Sequence, residues 1–254
     1  MDAALARHDG LSFTLARHLG FHGRLVDITV ERIEEAIAPQ APASAVFAQH
    51  PIEAESFRVI GEEADFAGVP AEHVPIITRV IHTTADFEYR EILRLSTGAV
   101  GAGVAAITSG RNIITDVRMA EAGISLERLR PFGASVHCFS ADKDVCALAL
   151  REGMTKTAAA MRKAAPYMEG GIVAIGNAPT ALAEALRLVS TGEARPALVI
   201  GVPVGFVGAV EAKDALMRSG REHIATAGRK GGSTVAAAIV NALAIMALEA
   251  GASR

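Results

Sequence analysis

Residues Val80–Tyr89 read VIHTTADFEY and place a titratable ring, two hydroxyls and a carboxylate within five consecutive positions. Histidine has an ordinary pKa of about 6.5, so His82 can carry or release a proton near neutral pH. This pattern indicates possible acid–base chemistry. A simpler interpretation is that His82 ends a helix and hydrogen-bonds to a carbonyl. The segment alone leaves both open.

Two helices are predicted to position this histidine. The first covers Ile52–Ala64, with Phe57 and Ile60 facing inward, and the second covers Val69–Thr84. Pro70 suits the first turn of a helix, where its missing N–H costs nothing. His82 is therefore expected where an apolar helix face gives way to a turn.

The C-terminal half repeats one pattern three times: a short apolar strand, a glycine turn and a helix. The strands are Gly171–Ile175, Ala197–Ile200 and His223–Thr226. Alternating units of this kind predict an α/β fold, a three-layer α/β/α sandwich around a mainly parallel sheet.

The three glycine turns lie where ligands bind in such sheets, at the carboxyl ends of the strands. Each leads into a helix N-terminus, which favours an anion. We expect Asn177 to cap its helix, and we expect Gly205 and Gly231 to let the backbone approach a ligand closely. Ala178 and Ser233 stand in the same turns and are further binding candidates. The alternative is that the glycines serve only tight turns and helix–strand packing.

The phosphate-binding motifs do not fit these turns. GxxxxGK[ST] is absent, Gly201-Val202-Pro203 breaks GxGxxG, and no acidic residue stands at the distance expected for a ribose. The pattern favours a polycarboxylate over a nucleotide.

Composition narrows the function further. A net charge of −3, 4% aromatic residues and no tryptophan argue against a nucleic-acid partner. Gly232–Leu248 is read as a buried helix, so no membrane partner is predicted. Cys138 and Cys146 stand eight apart, which matches no ligand pair, and no metal or cofactor is predicted. MDAALARHDG lacks the layout of a signal peptide, so we expect a cytoplasmic protein.

Residues 1–50 differ from the rest and are predicted to be an N-terminal extension and linker, followed by one domain over 51–254. The extension carries four of the eight histidines. His18 and His22 could share a helix face and hold a metal, but no third ligand is obvious. Docking on the surface or on a partner subunit is the favoured role.

The chain resembles the precorrin-8X methylmutases, including the cobalt-precorrin-8 methylmutases. GIVAIGNAPTAL (171–182), GVPVGFVGAVEAKDAL (201–216) and GRKGGS (228–233) are similar to the three signature blocks of that family. VIHTTADFEY, ITDVRMAEAGI (114–124) and GMTKTAAAM (153–161) follow the family's order and spacing. The resemblance covers Pro51 to about Leu248.

The resemblance implies a flavodoxin-like sandwich, usually a homodimer, that acts in cobalamin biosynthesis. The implied reaction moves a methyl group from C-11 to C-12 of the corrin macrocycle and consumes no cofactor. The product is hydrogenobyrinic acid or cobyrinic acid. The family's catalytic histidine falls on His82 and its active-site serine on Ser56.

One position departs from the family. Where the family carries an arginine in a Thr-Arg-Ser-Ala block, this chain has Thr155-Lys156-Thr157-Ala158. Lysine keeps the charge and loses the bidentate fork. A corrin is a flat apolar ring with carboxylates on its rim. Candidates for ring contacts are Val204, Phe206 and Val207, and candidates for rim contacts are Arg111, Arg118, Lys156 and Arg229.

Two other functions are weighed against the methylmutase. A corrin-binding carrier would hold the macrocycle without converting it. A nucleotide-dependent α/β oxidoreductase would need the dinucleotide fingerprint that the chain lacks.

Overall fold

A computed structural model of the protein describes residues 51–252, and the predictions for residues 1–50, including the His18–His22 pair, lie outside them. The main-chain elements follow in chain order: α1 (Pro51–Glu63), α2 (Val74–Thr84), α3 (Tyr89–Ile92), β1 (Leu93–Leu95), α4 (Ala99–Thr108), β2 (Ile113–Thr115), α5 (Arg118–Gly123), α6 (Leu126–Leu129), β3 (Val136–His137), α7 (Lys143–Glu152), α8 (Lys156–Ala164), β4 (Ile172–Ile175), α9 (Pro179–Ser190), β5 (Leu198–Gly201), α10 (Ala209–Met217), β6 (His223–Thr226) and α11 (Ser233–Ala252). Short 3₁₀ turns follow α6 and α8.

The six strands form one sheet in the order β1-β6-β5-β4-β2-β3. The five strands from β2 to β6 are parallel, and β1 pairs antiparallel with β6. Renumbered among themselves, the parallel strands have the 2-1-3-4-5 order of flavodoxin-like folds. The predicted flavodoxin-like sandwich is confirmed, and β1 is an added edge strand.

Successive side chains of a strand point to opposite faces of the sheet and pack into two separate hydrophobic cores. Ile172 and Ala174 face the layer of α2, α4 and α11, whereas Val173 and Ile175 face the layer of α7 to α10. This alternation follows from the period of two along a strand. It confirms the three-layer arrangement, and every residue of β2, β4 and β5 is buried.

Helix α11 is long and apolar enough to cross a membrane by length and composition. A core helix of a folded protein passes the same test, and 56% of the apolar window is buried inside the protein. Val235, Ile239 and Leu243 pack in the core beside α2 and α4. The expected buried helix is therefore present.

Several predicted boundaries are wrong. Helix α2 begins at Val74 rather than Val69, because Pro75 occupies the first helical turn and His73 is the N-cap residue. The predicted strand Ala197–Ile200 is shifted by one residue and covers Leu198–Gly201.

Candidate active site

His82 lies in the last turn of α2 and is exposed to solvent. Ala85 ends this helix in the left-handed conformation, with φ of 52°, and its N–H donates to the Ile81 carbonyl. Among residues 51–252 His82 has no hydrogen-bond partner, so the interpretation as a helix-end histidine bonded to a carbonyl is wrong. No group in this part of the chain occupies the ring nitrogens.

Aromatic contact from α1 orients the imidazole. Phe57 packs against His82 with ring centroids 5.1 Å apart and an interplanar angle of 84°. The guanidinium of Arg79 lies 4.8 Å from the Phe57 ring centroid and pairs with the Glu53 carboxylate. These contacts join α1 to α2 and fix one side of the histidine.

A cleft of about 690 Å³ opens beside His82. Its walls come from α1, from the end of α2 and from the turn that follows, and its lining residues are Pro51, Ile52, Glu55, Ser56, Val59, Ile60, Glu63, Ile81, His82, Ala85 and Phe87. The hydroxyl of Ser56 donates to the Ile52 carbonyl at 2.8 Å. The structure thus places Ser56 and His82 in one cleft of ligand size.

The other polar residues near His82 have partners within the protein. The Thr83 hydroxyl donates to the Arg79 carbonyl at 2.9 Å, and the Thr84 hydroxyl donates to the Val80 carbonyl at 2.8 Å. The Asp86 carboxylate pairs with Lys230, which holds the pKa of Asp86 below its ordinary value. The cluster that the sequence suggested therefore contains one free group, the imidazole.

The three glycine turns converge at the carboxyl edge of the sheet, as predicted. The Gly232 N–H donates to the Val202 carbonyl at 2.9 Å, and the Gly205 N–H donates to the Arg229 carbonyl at 3.2 Å. A Cβ atom on Gly231 would lie 2.1 Å from the Val202 carbonyl oxygen. At this position glycine is required for close packing of the turns.

Asp116 follows β2 at the point where the strand order reverses. Its buried carboxylate accepts hydrogen bonds from the N–H groups of Gly176, Asn177 and Ala178, at 3.2, 2.9 and 2.7 Å. Burial raises the pKa of Asp116, and these three donors oppose the rise. The N-cap of α9 is Ala178 with no side-chain cap, so the expected capping by Asn177 is wrong. A protein carboxylate already fills this anion site.

Thr155 and Lys156 lie where α8 begins, beside the turn that precedes α9. Thr155 is the N-cap of α8 and accepts from the Ala158 N–H, and its hydroxyl lies 2.8 Å from that of Thr180. Lys156 is exposed. Of the nearby backbone candidates, the Asn177 side chain is exposed, whereas Ala178 is buried.

The loop after β5 carries the most exposed aromatic ring of this edge. Phe206 is 83% exposed and Val207 is 89% exposed. The Arg229 guanidinium lies 5.4 Å from the Phe206 ring centroid and makes no ion pair with residues 51–252. Phe206 and Arg229 together present an apolar face and a free positive charge.

Two sequence-predicted candidates are not placed for contact with a ligand at this edge. Arg111 precedes β2 and lies beside Gly170, which precedes β4, so its prediction as a rim contact is wrong. Ser233 is 7% exposed because its backbone packs under Gly176. Neither the sheet-edge candidates nor Arg118 are among the residues that line the His82 cleft.

One buried lysine near this edge, Lys213, is not among the candidates that the sequence indicates. Lys213 is fully buried, and its ammonium donates to the Thr226 hydroxyl at 3.2 Å and to the Lys230 carbonyl at 2.9 Å. Burial lowers the pKa of Lys213 to about 8. Its position could have been found, because it shares the i, i+3, i+4, i+7 spacing of the buried face with Ala209, Ala212 and Leu216.

The fold and this geometry define a flavodoxin-like α/β protein with a histidine-containing cleft near the carboxyl edge of its sheet. Residues 51–246 match the family model described as precorrin-8X methylmutase. The cobalt-precorrin-8 methylmutase of Priestia megaterium is 44% identical over 196 residues, which cover 77% of this chain and 87% of the relative. The precorrin-8X methylmutase of Pseudomonas aeruginosa is 43% identical over 192 residues, 75% of this chain and 92% of the relative.

A solved structure agrees with the sequence matches. The crystal structure of the precorrin-8X methylmutase from Thermus thermophilus superposes with a TM-score of 0.74 at 45% identity, covering 79% of this chain and 97% of that one. The chain belongs to the precorrin-8X methylmutase family, and its role is that of an isomerase in cobalamin biosynthesis.

Proposed function

We propose that this protein moves a methyl group from C-11 to C-12 of precorrin-8X, or of its cobalt-containing form, with His82 as the proton donor. The methyl group leaves one carbon and binds its neighbour within the same molecule, so the reaction needs no co-reactant. A proton or hydrogen bond from imidazolium to a ring nitrogen polarises the conjugated system and lowers the barrier to the shift. A proton that is transferred returns to the imidazole after the shift, so substrate and product have the same composition.

The observation that carries this proposal is the state of His82. The ring is exposed in a cleft that also holds Ser56, is oriented by Phe57, and has no hydrogen-bond partner in residues 51–252. A histidine that the fold positions and leaves unpaired is suited to donate to a bound molecule.

The proposed contacts to the substrate rim are dispersed. Lys156 and Arg229 supply positive charge, Phe206 supplies an apolar face, and Ser56 supplies a hydroxyl close to His82. The exposed residues Thr155 and Asn177, in the turns that precede α8 and α9, complete the proposed set. We further propose that the protein acts in the cytoplasm as a homodimer, as the family resemblance implies.

Incubation of the full chain with precorrin-8X and, separately, with cobalt-precorrin-8 tests the proposal. We expect an absorption change with one or both, and a product whose mass equals that of the substrate. A carrier would bind hydrogenobyrinic acid and leave both precursors unchanged. That result would refute the proposed isomerase activity.

A further inference from the structure

Lys230 connects the turn after His82 to the glycine loop after β6. Its ammonium lies 2.5 Å from an Asp86 carboxylate oxygen and 2.8 Å from a Glu88 carboxylate oxygen. Both acids belong to the turn between α2 and α3, and they raise the pKa of Lys230. A single side chain thus links the His82 segment to the edge of the sheet.

Two hydrogen bonds fix the backbone of Lys230. Its carbonyl accepts from the buried ammonium of Lys213 at 2.9 Å and from the Thr226 hydroxyl at 2.7 Å. The next residue, Gly231, packs against the Val202 carbonyl too closely for any Cβ atom. The loop therefore offers a rigid point from which the Lys230 side chain can reach out.

The turn that carries Asp86 and Glu88 begins at a strained residue, which the ion pairs with Lys230 can stabilise. Ala85 is the only residue other than glycine with a positive φ among those described, and this conformation is strained for a residue that has a Cβ atom. The reversal at Ala85 directs Asp86 and Glu88 toward Lys230. Their ion pairs hold the strained end of α2, three residues after His82.

We propose that Lys230 is a positioning residue that sets the place of His82 relative to the sheet edge, an inference that rests on the proposed function of His82. Lys230 is already paired with two carboxylates, so its ammonium is not free for a carboxylate of the substrate. Its neighbour Arg229 has no ion pair with residues 51–252 and has the opposite role, that of a substrate contact. Adjacent cations of one loop thus divide positioning and binding between them.

Kinetics of Lys230→Met and Arg229→Ala separate these roles. For Lys230→Met we expect kcat to fall roughly tenfold with KM within about twofold, because small displacements of a catalytic group are costly. For Arg229→Ala we expect KM to rise and kcat to hold. Lys230→Arg keeps the charge and reach, so it should restore most of the lost kcat.

The chain offers a matched control for the loss of a lysine that bridges two acids. Lys163 contacts Asp142 at 2.8 Å and Asp144 at 2.7 Å, away from the cleft, so Lys163→Met should leave kcat and KM unchanged. The paired variant Asp86→Asn with Glu88→Gln should reproduce the kcat of Lys230→Met, and combining all three changes should add nothing further.

Three outcomes overturn the positioning role: an unchanged kcat in Lys230→Met, a rise in KM alone, or additive losses in the combined variant. Should Lys230→Met fail to fold, the Asp86 and Glu88 variant tests the same bridge from its other end. His82→Ala keeps this test separate from the proposed function. An active His82→Ala protein refutes the role of His82, whereas an inactive one beside an unaltered Lys230→Met refutes only the positioning.

Discussion

Two regions of the carboxyl edge carry polar groups in opposite states. At the turn before α9, three backbone N–H groups that could hold an anion are already taken by the buried Asp116 carboxylate. At the end of α2, the His82 imidazole stands in a cleft with no hydrogen-bond partner in residues 51–252. The first region is complete without a ligand, and the second is not.

This difference separates structural from functional polar residues. Buried polar groups are normally satisfied within the fold, and leaving one unpaired is costly. Asp116 satisfies three backbone N–H groups at the sheet edge, so its replacement should lower the stability of the fold. His82 satisfies no buried polar group, so its replacement should lower activity.

The largest effect is expected for His82→Ala. General acid catalysis by a placed side chain contributes roughly 10²- to 10⁴-fold, so kcat should fall by about that factor. The free energy of unfolding should change little, because the ring is exposed. Turnover followed by absorption, with a denaturant titration beside it, checks both.

His223→Ala is the control for this prediction. His223 begins β6 at the opposite edge, with its ring hydrogen-bonded to the Arg221 carbonyl. It should retain normal kcat. If His82→Ala and His223→Ala lost the same fraction of kcat, the loss would not depend on the position of His82 in the cleft. That result would contradict the functional role given to His82.

Asp116→Ala should show the reverse pattern, with lost stability as its main effect. The change leaves three N–H groups at a buried helix start without an acceptor, and we expect the free energy of unfolding to fall by about 3 kcal/mol. Asp116→Asn keeps one oxygen acceptor and should lose less. Denaturant titrations of both variants measure this, and wild-type stability in Asp116→Ala would contradict the structural role.

Lys213 provides a smaller effect that depends on pH. Burial lowers its folded pKa to about 8 from the ordinary 10.5, so between these values the unfolded chain binds more protons. The free energy of unfolding of the wild type should therefore rise with pH across this window relative to Lys213→Met, by on the order of 1–2 kcal/mol. The nearby Asp214 carboxylate opposes the shift without cancelling it.

Lys163→Met is the control for this slope. The carboxylates of Asp142 and Asp144 raise the pKa of Lys163 above its ordinary value, so neither the folded nor the unfolded chain releases this proton near pH 8. The stability difference between Lys163→Met and the wild type should therefore stay flat from pH 8 to about pH 9.5 and change only near the ordinary pKa of lysine. Parallel curves for wild type and Lys213→Met would contradict the assignment.

The smallest effect is expected for Phe206→Ala. The ring is 83% exposed and lies beside Arg229, so the free energy of unfolding should change by less than about 0.5 kcal/mol. KM should rise roughly threefold through loss of an apolar contact with the macrocycle. Leu150→Ala removes another exposed side chain, 86% exposed on α7, and should leave KM unchanged.

The repeated strand, turn and helix pattern was enough to predict the fold. The strands at 172–175, 198–201 and 223–226 match the predicted ones closely because short apolar runs between glycine turns have few alternatives. Helix α2 was placed too early because Pro70 and Pro75 both suit a first turn, and only tertiary packing chooses between them.

Individual residues of the site could be predicted from the sequence, but the contacts between residues far apart in the chain could not. The local residues and the family resemblance both indicate His82, the resemblance alone indicates Ser56, and the structure places the two in one cleft. The Asp116 contacts join positions 60 to 62 residues apart, and the Lys230 bridges span 142 and 144 residues. Local patterns carry no information about such pairs, so Asn177 was given a capping role that Asp116 performs.

Chemical rescue of His82→Ala by free imidazole tests the central claim most directly. The cleft is open to solvent, so imidazole can occupy the space that the side chain leaves. If His82 acts through its proton, turnover should be slow without imidazole and should rise with imidazole concentration. Wild-type turnover without imidazole, or slow turnover that imidazole does not raise, would contradict the account.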